Sequence, residues 1–360
     1  TGKGHTPMSQ NPIRYGVVGL GRAGWSIHVA GLRDRADAKI VAVVDPLAER
    51  RKEAAEQFGC KTYTRLASML KQDDVEVVVV ATPSVSHGPD SKKALKAGKH
   101  VVTEKPMALS VAEADSMIRA AEQADRKLFV HQNYRFNPES QHLFDVVRSG
   151  KIGRLYHIRN YSAGFNRRND WQTLSKNGGG VLNNTCPHNL DVILQLLGAP
   201  VKQVMGDLKQ IASAGDVEDH VKAFIRAENG VTADMEVTSA QRIEGTLPKW
   251  VLAGTCGTLT SDGRESTIHY FDPTKAPPIE AVDGPVMTRA YGNKDELPWQ
   301  VEKVPAVGPS IGNFYDNVHH VLREGGAMYV TPQSVREVIR TIALIRKGTD
   351  FPGKPVRKRS

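Results

Sequence analysis

Apolar positions along this chain fall into two regimes. Up to His131, short and nearly unbroken apolar runs over residues 13–18, 39–44, 75–80, 100–103 and 128–131 read as buried strands. Between them, residues 25–32, 48–58, 91–97 and 112–124 carry the longer period of helices. Strands that alternate with helices imply a parallel sheet with right-handed crossovers, whose ligands lie beyond the carboxyl ends of the strands. Asp45, Thr82, Glu104, Lys105, Gln132 and Asn133 stand at such ends.

Beyond Asn133 the pattern changes. A helix over 139–149 is followed by strands over 155–162, 201–211, 219–227, 231–239, 249–254, 257–261 and 267–271. Few helices separate them, so this second sheet is expected to be large, open and mostly antiparallel. Residues 166–177 read as a loop richer in recognition groups than in packing groups, with Arg167, Arg168, Asn169, Asp170 and Trp171 together. Residues 178–197 read as three glycines opening into a helix, 270–297 as an irregular excursion, and 314–323 and 332–346 as closing helices. The expected architecture is therefore an α/β Rossmann domain over 8–133, then an α+β domain over 134–360 for substrate binding and oligomerisation. The last helices can pack back on the first domain.

The first strand runs directly into Gly19-Leu20-Gly21-Arg22-Ala23-Gly24. In G-x-G-x-x-G the first glycine makes a tight turn, the second admits a pyrophosphate close to the backbone, and the third lets helix pack on strand. The anion then rests on the free N–H groups of the following helix. Asp45, 21 residues beyond Gly24, closes the second strand where an adenosine ribose would offer its hydroxyls. A carboxylate there repels a 2′-phosphate and favours NAD, although Arg50 and Arg51 leave NADP open.

Composition narrows the classes. At 360 residues the chain is long enough for two domains. No apolar run reaches the ~20 residues of a membrane span. Residues 1–7, before Met8, read as a vector remnant, and no secretory signal is evident. Three dispersed cysteines form neither a disulfide framework nor a metal cluster, so no metal is expected and a cytoplasmic location fits. The net charge of +9 is scattered, with one dense run at Arg357-Lys358-Arg359, and aromatics are only 6%. That describes a basic solvated surface rather than a nucleic-acid platform.

Lys105 follows a strand at the ligand edge and precedes a proline. Glu104 could pair with it or bond a cofactor ribose, and His87 either lines the nucleotide or opens a helix. The combination of Gly19 to Gly24, Asp45, Thr82-Pro83 through His87, the run from Ala97 to Val101 and above all Glu104-Lys105-Pro106 resembles the Gfo/Idh/MocA oxidoreductase family. The resemblance extends from about Ile13 to Lys347.

By residue type, Asn184, His188 and Asp191 have the i, i+4, i+7 spacing of one helical stripe, with Pro187 tolerable only in a first turn. The resemblance implies that Lys105, the residue at 184 and His188 surround the reacting carbon. It also implies a cofactor site built from Gly19, Gly21, Arg22, Ala23, Gly24, Asp45, Thr82, Pro83, His87, Glu104, Lys105 and Asn133. The usual aspartate is here Asn184, which carries no charge and exchanges no proton. The proton then falls to His188, whose ordinary pKa of ~6.5 suits the task. Asn184 would orient the hydroxyl, and Lys105 would stabilise the alkoxide. Asp191 could bond backbone or His188. Tyr161, Arg168, Asn169 and Trp171, with Lys105, Asn184 and His188, are the candidate substrate-binding groups.

The leading expectation is an NAD-dependent dehydrogenase of a sugar, polyol or glycoside. A glycoside-cleaving or epimerising enzyme that retains its NAD is one alternative, and a catalytically silent nucleotide- or sugar-binding protein another. A homodimer or homotetramer is expected, because an open sheet face usually becomes covered.

Overall fold

Each residue of the strand Val77–Val80 is a buried valine, as required of a strand covered by helices on both faces. It is the centre of a parallel sheet in the order β3-β2-β1-β4-β5-β6. The strands are β1 Ile13–Val18, β2 Ala38–Val44, β3 Lys61–Tyr63, β4 Val77–Val80, β5 His100–Thr103 and β6 Leu128–Val130. The structure is a computed structural model that describes residues 11–243, 247–281, 283–284, 297–308 and 312–351. Residues before Met8, residues 282 and 285–296 of the excursion at 270–297, and the run Arg357-Lys358-Arg359 lie outside the described residues.

Strand order reverses between β1 and β4, so the crevice for a ligand opens above their carboxyl ends. Two elements differ from the sequence pattern. The helix Ser84–Lys96 begins ahead of residue 91, with Pro89 inside it. The edge strand β3 has only three residues, none of them buried, and so lacked an apolar run.

The second sheet has eight strands in the order β14-β13-β12-β11-β7-β10-β9-β8. These are β7 Leu155–Ala163, β8 Val201–Lys209, β9 His220–Ala227, β10 Thr232–Thr238, β11 Trp250–Gly254, β12 Gly257–Ser261, β13 Glu265–Tyr270 and β14 Gln300–Pro305. Its pairs are antiparallel except β7 with β10, which run parallel. A parallel neighbour needs a long crossover, and here the crossover contains the glycine-rich segment, the helix Cys186–Leu197, and strands β8 and β9. One face of the sheet joins that helix in a core containing Ile158, Ile225, Met235, Leu252, Leu190 and Ile193. The opposite face leaves Met205 69% and Val301 58% exposed. β14, largely exposed, was not apparent from apolar pattern.

The chain returns to the first sheet at its end. Phe314, Tyr315, Val318 and Val321 of the helix Phe314–Arg323 share a core with Ile13, Tyr15 and Val17. Arg323 forms a forked ion pair with Glu76 at 2.6 and 2.7 Å. The helix Pro332–Arg346 lies against the helix Val111–Ala124, where Arg336 reaches Asp115 at 2.5 Å.

Candidate active site

The glycine-rich turn is shaped by close approach. Gly19 has φ +88°, and a Cβ there would meet Ala81 O at 2.6 Å. At Gly24 a Cβ would stand 1.8 Å from Gly19 O, so the turn and the following helix pack with no room for a side chain. Gly21 differs, since the nearest atom to its Cβ would be Arg50 Nη1 at 3.9 Å. The three positions thus have the three roles of a dinucleotide fingerprint, with Gly21 left bare. Ala23 caps the π-helical turn Gly24–Val29 that follows.

Asp45 is buried, and its carboxylate accepts Leu20 N at 2.8 Å and Leu47 N at 2.9 Å. It braces the glycine-rich turn from the tip of β2. Arg50 Nη1 lies 3.5 Å from Asp45 Oδ2, while Arg51 bonds the backbone oxygens of Asp45 and Pro46. Nearby, Thr82 Oγ1, Gln132 Oε1 and Asn133 Oδ1 are buried with no hydrogen-bond partner among the described residues. Buried polar atoms are rarely left so. These atoms at the strand ends, with the bare Gly21, fit the polar atoms of a bound dinucleotide.

Lys105 leaves β5 at this edge and reaches across to the second half of the chain, where its Nζ donates to Asn184 O at 2.8 Å. Burial pushes the Lys105 ammonium below the ordinary lysine range; Glu104 opposes this, and Arg22 and Arg168 add to it.

Asn184 ends a short helix, Val181–Asn184, and His188 occupies the first turn of a second, Cys186–Leu197. The continuous stripe expected of Asn184, His188 and Asp191 is therefore interrupted at Thr185. The reason is Pro187, which has no N–H and is accommodated by restarting the helix just before it. His188 is stacked on Tyr134, with ring centroids 4.1 Å apart and 22° between planes. Its Nδ1 is buried without a partner among the described residues.

Hydrogen bonds from Arg22 to Gln172, from Gln172 to Asn184 and from Lys105 to Asn184 join the glycine-rich turn, the edge lysine and the segment leading into the His188 helix around one cleft. Residues 13–132 match the oxidoreductase family with an NAD-binding Rossmann fold, and residues 140–260 match the GFO/IDH/MocA C-terminal domain. This chain belongs to the Gfo/Idh/MocA oxidoreductase family. A 1-carboxy-3-chloro-3,4-dihydroxycyclohexa-1,5-diene dehydrogenase of Comamonas testosteroni is 34% identical over 62% of this chain and 57% of its own length. A D-apiose dehydrogenase of Paraburkholderia graminis is 30% identical over 88% of this chain and 82% of that protein. The crystal structure of an NAD-binding protein from Listeria innocua superposes with a TM-score of 0.78 at 30% identity, covering 92% of this chain and 93% of that one.

Within this Gfo/Idh/MocA site, several expected residues have other duties. Glu104 bonds groups other than the Lys105 side chain. Its Oε1 accepts His28 Nε2 and His131 Nδ1, both at 3.0 Å, and its Oε2 accepts Lys105 N at 3.0 Å. Burial alone would raise this carboxyl, but the bonds from His131 and His28 outweigh it and hold Glu104 well below the usual carboxylate range. His28 continues the chain to Tyr315 OH at 2.7 Å, so Lys105 stands on a packed polar cluster. Ligand-capable atoms of His28, Glu104 and His131 lie within 4.8 Å of one another, a grouping that sequence spacing did not show. Their 3.0 Å contacts are those of hydrogen bonds.

His87 lies in the first turn of the helix Ser84–Lys96, and both of its ring nitrogens contact backbone oxygens. Nε2 faces Thr82 O and Nδ1 faces Pro106 O, both at 2.8 Å, clamping the Thr82-Pro83 turn to the Lys105 loop. Asp191 serves Arg135, through a buried fork at 2.6 and 2.7 Å, and not His188. His188 itself departs most from expectation, because burial and then the Lys105 cation push its pKa down to about 3. It is an uncharged acceptor near neutral pH rather than a base with ordinary strength.

Of the recognition loop, Arg168 reaches Gln172, while Asn169 and Trp171 are exposed. Tyr161 donates to Gln241 Oε1 at 2.6 Å in a neighbouring recess of about 400 Å³, lined also by Phe165, Arg242 and Lys249. Lys249 lies over the Tyr134 ring at 6.0 Å, which connects that recess to His188. The residue that sequence reading missed is Gln172. Its Oε1 accepts Arg22 Nη2 at 3.3 Å and also Arg168, and its Nε2 donates to Asn184 Oδ1 at 3.1 Å. A glutamine in a polar loop carries no motif that would have singled it out.

Proposed function

We propose that the chain is an NAD-dependent dehydrogenase that interconverts a secondary alcohol and a ketone on a sugar or polyol. The observation that carries this reading is the bond from Lys105 Nζ to Asn184 O, which gathers the lysine, Asn184 and the His188 helix above the glycine-rich turn. Gly21, Asp45, Thr82 and Asn133 would hold the dinucleotide. NAD supplies the hydride acceptor for such an oxidation.

This chain's own groups then have to place the carbon and move one proton. Asn184 and His188 position the hydroxyl, the imidazole serving as an uncharged hydrogen-bond acceptor. Lys105 takes the proton, since its destabilised ammonium gives up and regains a proton more readily than an ordinary lysine. In the reverse direction the same ammonium donates to the carbonyl oxygen as charge develops there. The stacked Tyr134 ring and the packed cluster under Glu104 fix the two groups. The open face of the second sheet, with Met205 and Val301, is the surface through which we propose that copies associate into a dimer or tetramer. Sedimentation of the full chain tests that assembly.

Absorbance at 340 nm over a panel of sugars, inositols and glycosides with NAD+ tests the chemistry. Reduction by one substrate class, lost in Lys105→Ala, is the expected result. A panel without NADH formation, from protein that releases bound nucleotide on denaturation, would instead support the retained-cofactor alternative and refute the dehydrogenase reading.

A further inference from the structure

The polarity of the cleft can be worked out from donors that have no choice. An arginine donates and never accepts. Arg22 Nη2 and Arg168 Nη2 both point at the side chain of Gln172, so the amide must present its oxygen to them. Its nitrogen is thereby turned to Asn184, which must answer with Oδ1. Asn184 Nδ2 is left as a donor that no described residue engages, on a side chain only 8% exposed. Lys105 Nζ, bonded to Asn184 O, is a second donor at the same residue. Arg168 is a third. One Nη2 serves Asp170 and Gln172, while its Nε and Nη1 engage no described residue.

The wall of the cleft is thus made of donors, and its cations are only partly matched. Glu104 is occupied by His28, His131 and the backbone of Lys105, and Asp170 lies at the rim. A substrate hydroxyl could accept from these donors only by sending its own proton to His188 or to the uncharged form of Lys105. A carboxylate oxygen has no such proton and accepts from every side, and Arg168 can add a charge-assisted bond from Nε or Nη1, which engage no described residue.

We infer that the substrate is an acidic polyol or sugar whose carboxylate, close to the reacting carbon, is bound by Asn184 Nδ2 and Arg168. The inference rests on the dehydrogenase reading and makes it narrower. It assigns Arg168 and Asn184 to specificity, and Gln172 to positioning, because Gln172 sets which atom of Asn184 is offered.

Matched pairs that differ only in a carboxylate test it, such as D-glucuronate with D-glucose and D-gluconate with D-glucitol, extended to their epimers. Turnover with NAD+ at 340 nm and binding to the NADH-loaded enzyme by fluorescence are both read. The acid member is expected to exceed its neutral partner at least tenfold in kcat/KM or affinity. Asn184→Asp, which puts a negative acceptor where the donor stood, is expected to reduce that ratio tenfold or more, and Arg168→Gln to reduce it likewise. Gln172→Leu should weaken the acid-to-neutral ratio while NADH binding persists, a change that a merely structural role would not produce. Turnover of neutral members equal to or better than the acids overturns this inference and leaves the dehydrogenase reading standing. Silence of every pair in both readouts, with NADH bound, overturns both.

Discussion

Alanine at Gly21 and at Gly24 should have opposite effects, because one glycine is bare and the other is packed. At Gly24 the new Cβ would lie 1.8 Å from Gly19 O, far inside contact distance, and backbone must move. Overpacking of this kind costs about 1–3 kcal/mol and more where backbone is the obstacle. With a shift of roughly 2–4 °C per kcal/mol, Gly24→Ala should lower the melting temperature by about 5 °C or more. At Gly21 the added methyl meets nothing closer than Arg50 Nη1 at 3.9 Å. Stability should stay within about 1 kcal/mol and can rise slightly, because alanine has less freedom to lose on folding. The same methyl occupies the surface that a pyrophosphate needs, so NADH affinity should fall about 10- to 100-fold, or roughly 1.4–2.8 kcal/mol. Thermal melts of the free proteins, paired with NADH fluorescence titrations, separate the two quantities. Wild-type NADH affinity in Gly21→Ala would refute the placement of the cofactor over that glycine. An unchanged melt in Gly24→Ala would refute the packing argument.

Four other outcomes follow from the same geometry. Asp191→Ala leaves Arg135 as an uncompensated buried cation and should cost about 3–5 kcal/mol in denaturant unfolding; a loss below 1 kcal/mol would show that the pair contributes no more than an exposed one. Oxidation needs Lys105 uncharged, so kcat/KM should rise with pH to a plateau entered below the ordinary lysine value of 10.5, with no inflection near 6.5 because His188 is already neutral. An inflection near 6.5 that disappears in His188→Gln would return the proton to the histidine. The lowered His188 pKa also has a sign in stability: the unfolded chain binds the proton first, so stability should fall as pH drops from about 6.5 towards about 3, and His188→Gln should flatten that slope. Asp45→Ala should raise the NADP-to-NAD preference by removing the carboxylate next to Arg50, and an unchanged preference would separate Asp45 from the ribose.

What could be read from the sequence was whatever is encoded locally. Gly19, Gly21 and Gly24 were legible because each answers a steric demand within a few residues, and the alternation of apolar runs with helical segments identified the parallel sheet. The closing helices Phe314–Arg323 and Pro332–Arg346 were legible for the same reason, since amphipathic period and caps are local properties. What only the tertiary structure decided involves partners distant along the chain. For Glu104 the sequence left pairing with Lys105 and bonding to a ribose both open, and only the fold shows that His28 and His131 hold its carboxylate, because a buried carboxylate takes the nearest strong donors. His188 was expected to titrate near neutrality, but its pKa is a property of its surroundings, and burial beside Lys105 removes the charge. The parallel pairing of β7 with β10 in the otherwise antiparallel second sheet of the described residues follows from where a long crossover lands rather than from the residues of either strand. Gln172 joins Arg22, Arg168 and Asn184 across 150, 4 and 12 positions of sequence, a connection that no window of residues contains. Propensity and period act between neighbours, whereas hydrogen-bond partners, burial and pKa are determined by which distant surfaces the packed core brings into contact.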